Sequence, residues 1–254
     1  MRSRCYVMYL DALLDGSAVR PGADAFIQFL RQYSLPFLIL SQQSSRDRRR
    51  ITEQLENAGI RGVMERDIYT TSMAAVDWCV LKMPERVRAG YIGGDALKSA
   101  LRQGGYIMDS LEPELYFVGM DQHMNYRDYS DTLQCLLSGA KLVSVDSRKI
   151  MVRDGLQMLG NGAIVKMLEY ASDQEALDFG RGSKHTIQMA LRYLRVNEDD
   201  VMMIGTDFLS DIVPVLDTDM ETVYVTWGES IEHTGMNNQC HPKYIVEDLY
   251  GMMK

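Results

Sequence analysis

Short apolar runs alternate along this chain with longer stretches whose apolar residues recur every three or four positions. Cys5–Leu10 is a continuous apolar run of strand length. Pro21-Gly22-Ala23 then opens a segment in which Phe26, Phe29, Leu30 and Tyr33 fall at helical spacing. Phe37–Leu40 reads as a second buried strand, ending at the polar run Ser41-Gln42-Gln43-Ser44-Ser45-Arg46. A basic helix follows, with Ile51, Leu55 and Ala58 on one face and Gly59 closing it. Strand, helix, strand, helix in this order predicts a parallel sheet with right-handed crossovers.

The pattern continues. Val87–Ile92, Leu115–Val118 and Lys141–Val145 read as strands, and Ala96–Gln103, Tyr129–Ser138 and Ala163–Tyr170 as helices. The last third brings a helix over His185–Leu194, then strands at Val201–Ile204 and Val223–Thr226. The polar, glycine-containing stretch Ala171–Gly182 is the expected hinge, and no repeat or low-complexity linker is visible.

Charge and composition narrow the classes. The chain has 254 residues, 27 Lys and Arg against 35 Asp and Glu, and a net charge of −8, which disfavours a phosphate backbone as partner. No apolar run approaches the ~20 residues of a membrane span. The apolar stretch after Met1-Arg2-Ser3-Arg4 stops at Asp11, too soon for a signal peptide. Cys5, Cys79, Cys135 and Cys240 form no CxxC pair, so reduced thiols and a cytoplasmic location are expected. Cys240-His241 is a weak metal lead, since the histidines show no ligand spacing.

In an open parallel sheet, chemistry collects at the carboxyl ends of strands. Three predicted ends carry polar clusters: Tyr9-Leu10-Asp11-Ala12, the 41–46 run, and Gly205-Thr206-Asp207-Phe208-Leu209-Ser210-Asp211. Each alone reads as a solvated loop; three together point to a site. Around them the sequence resembles the class IIA branch of the haloacid dehalogenase-like phosphatases, the group of NagD and the p-nitrophenyl phosphatases. The matching pieces are Arg20-Pro21-Gly22-Ala23, Leu35–Ser41, Ile68-Tyr69-Thr70-Thr71-Ser72-Met73-Ala74-Ala75, Tyr91–Leu97, Phe117–Asp121, Gly139–Val143, Met203-Ile204-Gly205 and Asp211-Ile212. The resemblance implies an α/β fold: a Rossmann-like parallel-sheet core from residues 1–79 and 179–254, with an inserted α/β cap domain at 80–178.

What the resemblance implies for chemistry is a phosphatase with an Asp nucleophile, an Asp acid/base two residues on, and Mg²⁺. Departures fall on those positions. Asp11 matches the second Asp, but Tyr9 stands at the nucleophile position. A phenol with pKa of about 10 is a weak nucleophile at neutral pH. In the last motif Thr206 replaces a metal-binding Asp, while Asp207 and Asp211 remain as carboxylates. Ser41 and Gln42 match the phosphate-binding strand end, and Arg181 falls on the motif lysine. In the cap, Asp146-Ser147-Arg148 stands where the family's specificity motif reads N-P-D. The expectation is an inactive or strongly impaired phosphatase homologue with weak or absent Mg²⁺ at Asp11, Asp207 and Asp211, still able to hold a small phosphorylated molecule or inorganic anion. The alternative is an active Mg²⁺-dependent hydrolase using Asp11 itself as nucleophile. A third reading is a scaffold that forms a homodimer through cap aromatics such as Trp78, Tyr106, Tyr116 and Tyr126, residues that more often serve as core.

Overall fold

The computed structural model describes residues 5–153, 155–237 and 240–253. Met1-Arg2-Ser3-Arg4, weighed above as a leader, lies outside the described residues. In chain order the strands are β1 (Cys5–Tyr9), β2 (Leu14–Asp15), β3 (Ala18–Val19), β4 (Phe37–Ser41), β5 (Ile68–Thr70), β6 (Arg88–Ile92), β7 (Ile107–Met108), β8 (Leu115–Val118), β9 (Lys141–Ser144), β10 (Ile150–Arg153), β11 (Leu156–Leu159), β12 (Leu177–Asp178), β13 (Val201–Gly205), β14 (Glu221–Val225) and β15 (Tyr244–Val246). The helices are α1 (Ala23–Gln32), α2 (Arg48–Asn57), α3 (Thr71–Lys82), α4 (Asp95–Gln103), α5 (Tyr126–Leu137), α6 (Asn161–Ser172) and α7 (Lys184–Leu194). They fall into two compact units. One comprises the chain up to Ser41, Arg48–Tyr69 and Ala190 onward; the other comprises Gln42–Asp47 and Thr70–Met189.

The first unit is built on a sheet of order β15-β14-β13-β1-β4-β5. β1 runs parallel to both β4 and β13, and β14 runs parallel to β13 and β15. Every residue of β4 and β13 is buried, as parallel strands covered on both faces require. The chain moves outward from β1 to one side through β4 and β5, and later to the other through β13, β14 and β15. A crevice opens outside the carboxyl ends where strand order reverses in this way; here that place is the end of β1.

The amphipathic helices follow their apolar faces, with one shift. α1 buries Ala23, Phe26, Ile27 and Leu30 in the core that holds Met8, Ile39 and Ile204. Tyr33, expected on that face, is 60% exposed because the helix ends at Gln32. α2 buries Ile51 and Leu55 and stops at Asn57. Gly59 takes φ of 94°, and the amide of Ile60 bonds back to Leu55, an exit turn that glycine permits at no steric cost.

The second unit has its own parallel sheet, of order β12-β9-β8-β6-β7. The stretch Ala171–Gly182, expected as a hinge, instead contains the end of α6 and the edge strand β12, whose Leu177 and Asp178 pair with Val143 and Ser144 of β9. A two-residue strand in polar sequence has no period to read. The antiparallel hairpin β10–β11 leaves no sequence pattern either, because Ile150, Val152, Leu156 and Leu159 are all exposed and no buried face marks it. Residues 42–47 are seated in this unit. Ser44 Oγ accepts the Met120 N–H at 3.0 Å. A Cβ on Gly119 would come within 3.0 Å of Ser44, and one on Gly94 within 2.9 Å of Ser45 Cα, so a larger residue at either position would press on this segment. Tyr106 and Tyr116 are buried, Trp78 packs edge-on against Phe179 and His185, and Tyr126 is exposed.

Candidate active site

Three strand ends in the first unit lie side by side, because β13, β1 and β4 are neighbours and run parallel. Tyr9 is the last residue of β1, paired in register with Leu40 and 3% exposed. The chain then turns through a short 3-10 segment, Leu10–Ala12, which carries the half-buried Asp11. Ser41 closes β4 and is buried. Thr206 and Asp207 follow Gly205 at the end of β13. The sequence therefore delivers a phenol, a carboxylate, two hydroxyls and a further carboxylate to one edge of one sheet.

Beyond Gly205 the backbone forms one turn of π-helix over Phe208–Ile212, a rare element that is frequent at functional sites. Two aspartates build it. Asp207 is exposed, and its Oδ1 accepts the Ser210 N–H at 2.7 Å. Asp211 is fully buried, and its Oδ2 accepts the N–H groups of Thr206 at 2.8 Å and Asp207 at 3.0 Å. A buried carboxylate costs several kcal/mol unless hydrogen bonds replace water, and these amides supply them. The same bonds hold the 206–207 backbone at the strand end.

The second unit gathers another set. Asp146, just beyond β9, is fully buried. Its Oδ1 accepts the Arg148 backbone N–H at 3.0 Å and Arg148 Nε at 2.9 Å, and its Oδ2 bonds Arg148 Nε at 3.1 Å and Nη2. Asn161 donates to the carbonyls of Asp146, at 2.7 Å, and Val118, at 3.1 Å, fixing the loop from below. The next strand end, Asp178-Phe179-Gly180-Arg181, lies against it: a Cβ on Gly180 would overlap the side chain of Ser147. Arg181 is near enough for its charge to oppose that of Arg148, whose pKa is nonetheless raised by its bonds to Asp146. Burial pushes the Asp178 carboxyl up, against the pull of the Gly180 N–H on its Oδ1. Arg181 and the 146–148 triplet, separate in sequence, are thus brought together in this unit. Gln42, which shares the strand-end motif with Ser41, belongs to the same unit.

Mg²⁺, implied by the resemblance, calls for several carboxylate or water oxygens in near-octahedral array. The donors of the first unit meet that demand at Asp11, a carboxylate with a buried Oδ1, but not around it. Tyr9 and Thr206 are neutral, one Asp211 oxygen is given to two amides, and Asp207 Oδ1 caps a turn. Among the described residues no group of three His, Cys, Asp or Glu side chains is arranged to hold a metal. Cys240 and His241 make local loop contacts, with His241 Nδ1 3.0 Å from the Pro242 carbonyl oxygen. All four cysteines are free thiols, and burial raises the pKa of Cys5 to about 11 and of Cys79 to about 12, so neither is a reactive thiolate. Among the described residues no helix is long and apolar enough to cross a membrane.

Comparison with known proteins agrees with this architecture. Residues 11–107 match the family described as haloacid dehalogenase-like hydrolase, and residues 179–252 match one described as HAD-hydrolase-like. The acid sugar phosphatase of Staphylococcus saprophyticus is 24% identical over 253 residues, spanning 99% of this chain and 97% of that protein. NagD from E. coli K-12 superposes with a TM-score of 0.87 at 21% identity, covering 98% of both chains. The p-nitrophenyl phosphatase from Archaeoglobus fulgidus gives 0.87 at 22% identity, over 99% of this chain and 98% of that one. At such identities the superpositions speak for fold, while the two family matches together take in well over half of the sequence. The chain belongs to the haloacid dehalogenase-like family and has the core-and-cap fold of its class IIA, NagD-like branch.

Proposed function

We propose that this protein is a haloacid dehalogenase-like phosphatase homologue without effective phosphatase chemistry, which binds a phosphate-type anion and releases it unchanged. The observation that carries the reading is Tyr9 at the last position of β1, where strand order reverses. The family reaction needs a carboxylate there to attack phosphorus. Asp11, two residues on, sits in the turn beyond the strand. Loss of the attacking group removes most of a rate enhancement, several orders of magnitude. Tyr9 and Thr206 also withdraw two negative charges from any Mg²⁺ site, so weak or absent Mg²⁺ binding is part of the reading. Among the residues expected to meet an anion, Ser41 in the first unit retains a hydroxyl, and in the second unit Gln42 retains an amide and Arg181 a guanidinium. A cytoplasmic location accords with the four free thiols.

The test is turnover of p-nitrophenyl phosphate with millimolar Mg²⁺ at neutral pH. The expected result is no hydrolysis by the natural chain, and a gain of Mg²⁺-dependent turnover in Tyr9→Asp combined with Thr206→Asp. The second reading, an active hydrolase working through Asp11, draws on the family match that begins at residue 11. Turnover by the natural chain that is abolished in Asp11→Asn establishes that reading and ends the first.

A further inference from the structure

The amino ends of β6, β8 and β9 lie together at one edge of the second unit's sheet, opposite the edge that carries the 146–148 loop. Two depressions meet there, of about 670 Å³ and about 460 Å³, with Leu111, Cys135 and Ser138 lining both. Small-molecule sites occupy roughly 300–1,000 Å³. Arg88 stands in the wall of the larger depression. The carboxylates of Asp109, Glu112 and Glu114 surround its guanidinium at 3.9, 3.3 and 3.9 Å. Among the described residues the guanidinium nonetheless donates a single hydrogen bond, from Nη1 to Glu112 at 3.3 Å, and the fork has donors to spare. Two of the carboxylates are set from the backbone. Asp109 Oδ1 accepts the Leu111 and Glu112 N–H groups, and Glu114 Oε2 accepts those of Val87 and Arg88. The same bonds hold both carboxyls below their ordinary pKa. A half-buried guanidinium beside surplus carboxylates matches the head group of an α-amino acid, whose carboxylate and ammonium carry the opposite charges. Ser138 and Gly139 add the end of α5, where no basic side chain occupies the last turn, and that end of the helix dipole also favours an ammonium.

The smaller depression suits a side chain. Leu111, Tyr116 and Met124 give it apolar wall, and Asp128 and Asp131 line it as well. Asp131 is largely exposed and no closer than 4.0 Å to Arg127, an ion pair worth little. A long aliphatic stem with a cation at its tip uses both kinds of lining. We propose that this edge of the second unit binds a free α-amino acid with a basic side chain, of the arginine or lysine type. Arg88 meets its carboxylate, Glu112 its ammonium and Asp131 its side-chain cation. The site lies within one unit, needs no metal, and is independent of the function proposed above.

The experiment is calorimetric titration of the full-length chain with L-arginine, with agmatine, which is arginine without its carboxylate, and with L-leucine, which lacks the side-chain cation. A merely acidic surface holds the doubly charged agmatine more tightly than the singly charged arginine. The expected result is the reverse: arginine binds at least ~10-fold more tightly than agmatine, and than leucine, as one charge-assisted contact implies. Arg88→Gln, at a side chain 40% exposed, is expected to erase the preference over agmatine. Asp131→Asn, on the exposed face of α5, is expected to erase the preference over leucine. Agmatine or leucine binding as tightly as arginine to the natural chain overturns the proposal, a result that requires no variant to fold. Failure of arginine to bind overturns it too, as does survival of both preferences in the two variants.

Discussion

Asp211 and Asp146 are both fully buried carboxylates just beyond the carboxyl end of a parallel strand, one in each unit, yet they are stabilised by different partners. Asp211 accepts two backbone N–H groups, whose positions are set by the turn it closes. Asp146 accepts a guanidinium from two residues along the same loop. The first arrangement is dipolar and ties a backbone in place. The second is ionic and ties down a charged side chain. A carboxylate bonded to amides loses geometry when removed, whereas one bonded to a cation leaves a charge to be accounted for.

The largest break in that comparison is expected from Arg148→Ala. It strands the buried Asp146 carboxylate, and losing one partner of a buried pair costs about 3–5 kcal/mol, to be read as a shift in urea midpoint at constant slope. A loss below ~1 kcal/mol would mean that Asp146 finds water or another donor. Asp211→Ala comes next, at about 2–3 kcal/mol, from two amides left without their acceptor. Asp211→Asn keeps an acceptor oxygen and is expected to recover most of that loss; if the two variants are equally damaged, the charge rather than the geometry of Asp211 matters. The smallest effect concerns Asp178. Burial raises its folded-state pKa, so the folded chain binds this proton more tightly than the unfolded one. Its contribution is favourable below the unfolded carboxyl pKa and is lost as pH rises through the raised value. Asp178→Asn is therefore expected to gain stability relative to the natural chain at pH 7 and to lose that advantage near pH 4. A melting-temperature difference that is flat across this range would refute the shift.

Much of the fold was legible in sequence because burial leaves a period behind. β4, β8 and β13 are buried along their whole length, and their apolar runs say so. α1 and α7 show their stripes, although the exact apolar face of α1 waited on where the helix ends. Illegible were the elements whose residues have no inside: the β10–β11 hairpin with its exposed apolar side chains, and β12, two residues long. At the site, spacing and resemblance marked Tyr9, Asp11, Thr206, Asp207 and Asp211 as one group, and the structure sets them at adjoining strand ends and turns of one sheet. Spacing could not tell that Asp211 turns an oxygen to the Thr206 and Asp207 amides. Nor could it seat Gly180 against Ser147, a packing that depends on the missing side chain of the glycine. The signal was present in Gly180-Arg181-Gly182, but a glycine in a polar stretch reads first as a loop.

The seating of residues 42–47 has a consequence for how this protein can be taken apart. A fragment beginning at Thr70 would lack Ser44, which accepts the Met120 N–H and packs on Gly119, and Ser45, which packs on Gly94. The second unit is continuous in space but not in the gene, so a clean excision is ruled out by six residues encoded upstream. Domain-swap chimaeras that exchange 70–189 as a cassette carry the wrong hexapeptide unless residues 42–47 travel with it.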